Sequence, residues 1–301
     1  MDIFGKCVIN GISISDDDLN AVGIGLYVGL SALNHSCDPN AFISFDGPKA
    51  LIRPLKSGLE GRPLDQITVS YCDLLATTKE RQQQLQQQYY FLCDCSVCAN
   101  KQRDGAMRSL RCPDCSGEAL LDDSDESKHI AKCWQCGKVM LNIDDAVSLM
   151  QQILWRLTDL ETNEDLGAAL VEGDCLADSA LARLSDVNIF AARLFDCLTE
   201  LNLKASRTAQ AATYCERALS AYIRFYPAAH PAVSLQLLKA AKLVSCAPER
   251  LEDAARRFQQ AESALTASHG ANHRLTEASR ALGTHLQEER RAISHRRELS
   301  D

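Results

Sequence analysis

From about Asp144 onward, apolar residues return every three or four positions. Met150, Ile153, Leu154 and Leu157 mark one stripe, and Phe190, Leu194, Cys197, Leu198 and Leu201 a second. Ala211, Tyr214, Cys215, Ala218, Leu219 and Tyr222 form a third. This spacing puts each set on one face of a helix and predicts an all-α region over 144–301. Pro231 is placed to open a helix after His230. The stretch Tyr226–His230 returns in weak form as His269–His273, 43 residues further on, a period that suits stacked helical pairs. Its histidines read as loop or capping residues.

The first part of the chain has a different period. Phe42, Ser44 and Asp46 alternate with Ile43, Phe45 and Gly47, and Gly47-Pro48 marks a turn. Residues 41–72 are therefore expected to form antiparallel sheet, with Ile67, Val69 and Tyr71 on one strand face and Thr68, Ser70 and Cys72 on the other. On this pattern alone Tyr71 reads as a core tyrosine whose hydroxyl finds a partner. Residues 1–33 read as short strands and turns, with Asp16-Asp17-Asp18 as a turn or cap. Gly23-Ile24-Gly25 lacks the lysine of a phosphate loop. Thr77-x-x-Glu80 is a capping box that opens a helix through Leu85 toward Tyr89, and the glutamine run 82–88 reads as its solvated face.

The cysteines add chemistry. Cys93, Cys95 and Cys98 bring three sulfurs within six residues. A closed zinc site takes four ligands, so a fourth must come from elsewhere. Cys37, in a loop punctuated by Asp38-Pro39, is the candidate. Cys112-x2-Cys115 and Cys133-x2-Cys136, with seventeen residues between them, match the spacing of a zinc ribbon. Four thiolates leave that site no open position for catalysis, and Trp134 is expected to shield it. With eight of fourteen cysteines in such sets, a reducing compartment fits better than a disulfide scaffold. Of the other six, those in helical patterns (Cys175, Cys197, Cys215 and Cys246) read as small buried hydrophobes.

A net charge of −8 argues against nonspecific nucleic-acid binding and is compatible with basic peptide partners. No signal peptide is expected, and no apolar run approaches the ~18 residues of a membrane span. Neither direct nucleic-acid nor membrane partners are expected.

Three motifs carry a resemblance. Asn34-His35-Ser36-Cys37-Asp38-Pro39-Asn40, then Tyr71-Cys72-Asp73, then Cys93-x-Cys95-x2-Cys98, followed by a long helical tail, resemble the SET-and-MYND (SMYD) subfamily of SET-domain protein-lysine methyltransferases. The likeness is specific from about Phe4 to Cys98 and weaker through the helices. It implies an α+β fold: the C-terminal portion of a β-rich SET domain (1–92), a post-SET zinc segment (93–100), a zinc-ribbon-like insertion (101–143) and an all-α tetratricopeptide-like domain (144–301).

It also implies S-adenosylmethionine as cofactor and Tyr71 as catalytic residue. Asn34 and His35 would contact the cofactor, with Ser31, Leu33 and Asn10 as further candidates and Tyr89 and Phe91 as an aromatic wall. Two structural Zn2+ ions would sit on Cys37, Cys93, Cys95 and Cys98 and on Cys112, Cys115, Cys133 and Cys136. The ribbon departs from the family pattern, as does the lack of a MYND finger and of a glycine-containing first cofactor strand. The expectation is thus a fragment or truncated paralogue that methylates poorly by itself. The expected partners are a protein with a lysine-bearing segment, such as a histone tail, and proteins that dock on the helices; the expected location is cytoplasm and nucleus. The alternative expectation is a non-catalytic, zinc-stabilised interaction module.

Overall fold

Local hydrogen bonding decides the first turn of chain. A computed structural model describes residues 3–122 and 129–298. Ile3–Asn10 is a helix (α1), where strands and turns were expected; the Asn10 side-chain amide closes it by donating to the Lys6 carbonyl at 2.9 Å. A hairpin follows, β1 (Gly11–Ser15) and β2 (Ala21–Leu26). The Asp16 carboxylate accepts the N–H groups of Asp18 and Asn20, so the aspartate triplet is a turn.

β4 (Ala41–Asp46) and β5 (Lys49–Pro54) pair antiparallel around Gly47, whose φ of +56° suits a residue without Cβ. The expected sheet ends there. β6 (Thr68–Val69) pairs instead in parallel with β3 (Asn34–His35). A parallel pair needs a long connection, and alternation within residues 41–72 holds no information about it. The facing of side chains is as read: Ile67 and Val69 are buried with Leu33 and Ala41, Tyr71 packs against them, and Cys72 faces the cysteine cluster.

α2 (Thr78–Tyr89) opens with the Thr77/Glu80 capping box, both hydrogen bonds formed, and ends at Tyr90 with φ +61°. α3 (Ser96–Ala99) and α4 (Lys101–Met107) lead to an antiparallel sheet of four strands. These are β7 (Leu110–Arg111), β8 (Glu118–Asp122), β9 (Ile130–Cys133) and β10 (Val139–Met140), in the order β10-β9-β8-β7.

The helices α5 (Asp144–Thr162), α6 (Leu166–Arg183), α7 (Ile189–Lys204), α8 (Thr208–Phe225), α9 (Pro231–Ser245), α10 (Leu251–Ser268) and α11 (Arg274–Glu298) complete the described chain. Each packs on the next in sequence, and α5 also packs on α7. His230 caps α9, its Nδ1 accepting the Ala232 N–H at 3.2 Å, with Pro231 at the first helical position. His273 accepts the Leu275 N–H in the same way at the start of α11.

The apolar stripes are present with two corrections. In α5 the buried face runs through Ala146, Leu149, Met150, Ile153 and Leu160, while Leu154 is 44% exposed because the stripe turns away from it. Cys197 and Cys215 are buried, but Cys175 and Cys246 lie on outer faces and are exposed. The buried face of the four-stranded sheet (Ala119, Leu121, Ala131 and Cys133) shares one apolar cluster with α5–α8. No helix among the described residues is long and apolar enough to cross a membrane.

The helices grip the N-terminal part at named points. Arg193 of α7 donates to Glu80 and to the Leu75 carbonyl, both at 2.7 Å. Arg103 donates to the Phe225 carbonyl at 2.9 Å, Tyr226 to the Asp73 carboxylate, and Arg274 to Asp17.

Candidate cofactor and metal site

The loop after β3 is held from both sides by Asn40. Its Oδ1 accepts the Thr68 N–H at 2.8 Å, its Nδ2 donates to the Gln66 carbonyl at 2.9 Å, and its own carbonyl accepts the Leu55 N–H at 2.8 Å. The Ser36 N–H also donates to the Val69 carbonyl at 3.0 Å. One side chain thus pins residues 34–40 against the strand that delivers Tyr71.

That loop carries Cys37 into the cysteine segment. The sulfurs of Cys37, Cys93, Cys95 and Cys98 all lie within 4.8 Å of one another, with Cys37 and Cys98 3.5 Å apart. A disulfide would require about 2.05 Å. Four sulfurs around zinc at ~2.3 Å stand about 3.8 Å apart. The donor set fits a tetrathiolate metal ion. The approach of the segment is fixed by Gln82, whose Oε1 accepts the Cys93 N–H at 2.8 Å while its Nε2 donates to the Cys93 carbonyl. This member of the glutamine run is not merely solvated. Arg81, 1% exposed, donates from Nε to the Cys37 sulfur at 3.2 Å.

His35 joins this cluster to Tyr71. Its Nδ1 accepts the Tyr71 N–H at 3.0 Å, which puts the neutral ring's proton on Nε2, 3.2 Å from the Cys37 sulfur. Burial, helped by the Arg81 charge, lowers the His35 pKa to about 4, so the ring is neutral at pH 7. The Tyr71 ring lies 5.2 Å from His35 and 4.8 Å from Tyr89; Phe91 lies 5.9 Å from His35 and 6.5 Å from Tyr89. The Tyr71 hydroxyl donates to the Leu33 carbonyl. Burial, and then Tyr89, raise the Tyr71 pKa, so the phenol stays un-ionised.

A second group, Cys112, Cys115, Cys133 and Cys136, also lies within 4.8 Å, with sulfur separations of 3.6 Å (Cys112 to Cys136) and 3.5 Å (Cys115 to Cys133). It too fits a tetrathiolate ion. Cys115 and Cys136 are exposed, and Trp134 is 66% exposed rather than a shield.

The fold therefore gathers Leu33, His35, Tyr71, Tyr89 and Phe91 into one group, with Asn34 exposed at its edge on β3. Ser31 lies on the short turn before Leu33, its hydroxyl donating to the Val28 carbonyl at 2.8 Å. Asn10 is exposed at the end of α1, its side-chain amide donating to the Lys6 carbonyl. Reading the sequence missed Asn40, Arg81, Gln82 and Tyr226. Their partners lie elsewhere in the chain, and only the unusual polarity of Arg81 within a buried helical position offered a signal.

No protein-family profile matches the chain. It is 28% identical over 274 residues to the histone-lysine N-methyltransferase SMYD3 of Mus musculus and to that of Homo sapiens, covering 91% of this chain and 56% of each relative. It is 28% identical to the histone-lysine N-methyltransferase ASHR1 of Arabidopsis thaliana, covering 97% of this chain and 61% of that protein. Over 109 residues it is 36% identical to the N-lysine methyltransferase SMYD2-A of Xenopus laevis, covering 36% of this chain and 25% of that one. The chain thus spans a little over half the length of the SMYD3 and ASHR1 relatives. Agreement along nine-tenths of the sequence, together with the three motifs gathered in one place, makes this chain similar to the SET-and-MYND lysine methyltransferases.

Proposed function

We propose that this chain carries the lysine-accepting part of an S-adenosylmethionine-dependent protein-lysine N-methyltransferase, acting on histone or other protein lysines. The observation that carries the reading is the Tyr71 hydroxyl at the centre of the aromatic group, its proton committed to the Leu33 carbonyl. When bound, S-adenosylmethionine supplies an electron-poor methyl group on a sulfonium. The Tyr71 oxygen, with its proton spent, would turn its lone pairs to that methyl and hold it in line with the incoming amine. Tyr89 and Phe91 would wall the lysine stem and exclude water. Asn34, His35, Ser31 and Leu33 would contact the cofactor. Asn10 would have to release Lys6 to join them.

Each cysteine set would hold one structural zinc. The helices α5–α11, each packed on the next, would form a tetratricopeptide-like stack over the catalytic part, open to protein partners on its outer faces.

The test is calorimetric titration of S-adenosylmethionine followed by methyl transfer to a lysine peptide. Both are done with and without Tyr71→Phe, in this chain and in one extended upstream. Loss of turnover by about 100-fold with cofactor affinity kept within a few fold is expected. Turnover indifferent to the substitution overturns the role of Tyr71. Zinc-loaded protein that binds no cofactor in either form favours the interaction-module reading.

A further inference from the structure

Arg81 is 1% exposed, yet among the described residues no carboxylate forms an ion pair with it. A buried guanidinium without a counter-charge is costly. Its nitrogens go to the Ala76 carbonyl, to the Thr78 hydroxyl at 2.8 Å and to two sulfurs, Cys37 at 3.2 Å from Nε and Cys98 at 3.9 Å from Nη2. Among these described partners, the groups that can become anionic are the two thiols. Conversely, four thiolates around Zn2+ carry a formal −2, and Cys37 is 2% exposed, with little water to stabilise that charge. Each deficit offsets the other in part: the single positive charge of Arg81 halves the formal −2. Among the described residues the other cysteine set has no such buried cation: its Lys138 pairs with Asp114 at 3.3 Å, and its exposed Cys115 and Cys136 leave charge stabilisation to solvent.

We propose that Arg81 is a positioning residue of the Cys37, Cys93, Cys95 and Cys98 site. Its fixed charge lets this buried set hold a divalent metal as a tetrathiolate, and its Nε–H, with the His35 Nε2–H, orients the Cys37 sulfur. The inference rests on reading the four sulfurs as a metal site. It goes beyond ligand count, because it assigns the two cysteine sets different electrostatic supports. His35 then ties this support to the Tyr71 main chain.

The experiment uses the full chain loaded with Zn2+ or Co2+ and compares the parent with Arg81→Lys and Arg81→Gln. Lysine keeps the charge; glutamine keeps an N–H donor and loses the charge. Metal affinity at each site is measured by competition with a chromophoric chelator, and the sulfur-to-cobalt charge-transfer band is recorded. The Cys112 set serves as folding control, resolved by its own release step in a Cys133→Ser companion. Arg81→Gln is expected to weaken the first site by about 10- to 100-fold and to move its band to lower energy, with Arg81→Lys nearer the parent and the second site unchanged. Equal affinities in all three proteins, or equal loss in lysine and glutamine variants, overturns the proposal. A parent chain that holds metal only on the Cys112 set overturns the underlying metal reading as well, and is told apart by its stoichiometry of one.

Discussion

Arg193 of α7 ties the helices to the segment that follows Tyr71, and its contribution can be worked out. Its guanidinium donates to Glu80 at 2.7 and 3.3 Å and to the Leu75 carbonyl at 2.7 Å. The side chains are 19% and 29% exposed. Burial pushes the Glu80 carboxyl pKa up, but Arg193 and Thr77 outweigh it and hold the group below its usual range. A hydrogen bond to a charged group contributes ~1.5–3 kcal/mol net when buried. Partial exposure reduces this, so a coupling of about 2 kcal/mol is expected for the pair.

The perturbation is a double-mutant cycle of Arg193→Met and Glu80→Gln. Glutamine still completes the capping box with Thr77, so the cycle isolates the charge contact. The assay is native-state hydrogen exchange of the Glu80 and Arg81 amides, which bond to the Thr77 hydroxyl and carbonyl. A loss of ~2 kcal/mol makes local opening about 30-fold more frequent. The folded pKa is depressed, so the contribution is present above the unfolded value near 4.5 and fades as pH falls below it. Coupling under about 0.5 kcal/mol, or unchanged exchange, would refute the argument that α7 anchors this segment.

Gly105→Ala places a Cβ 2.7 Å from the Leu121 carbonyl oxygen; the ~1 kcal/mol that alanine gains in a helix is outweighed by the clash with backbone, and a net loss of about 1–2 kcal/mol should appear in urea denaturation. His230 has its pKa lowered to about 4, chiefly by burial, against the opposing pull of the Asp73 charge. Between pH 6.5 and 4 the unfolded chain takes up a proton that the folded one refuses, so stability is full above ~6.5 and falls by up to ~3 kcal/mol on acidification. His230→Asn keeps a capping acceptor and should flatten this slope in thermal melts at pH 7.5 and 5; an unchanged slope would contradict it. Metal analysis of refolded protein should find about two zinc ions per chain, falling to one in Cys133→Ser.

Much of the local structure was legible before any fold was known. The capping box at Thr77 and Glu80, the cap at His230 before Pro231, and the close cysteines within each segment (Cys93 to Cys98, Cys112 and Cys115, Cys133 and Cys136) depend on residues a few positions apart. Their geometry follows from the helical repeat or from the reach of a short turn. What the tertiary structure alone decided lies at long separation. Arg81 meets Cys37 across 44 positions, Arg193 meets Glu80 across 113, and Tyr226 meets Asp73 across 153. The parallel pairing of β3 with β6, and the clamp that Asn40 makes on both, belong with these. Periodicity states which face of an element is buried but not what covers it. Leu154 and Trp134 are exposed although the sequence pattern placed one on an apolar stripe and the other over the sulfurs. A charged side chain such as Arg81 has no place in an apolar pattern until the fold brings the sulfurs that balance its charge.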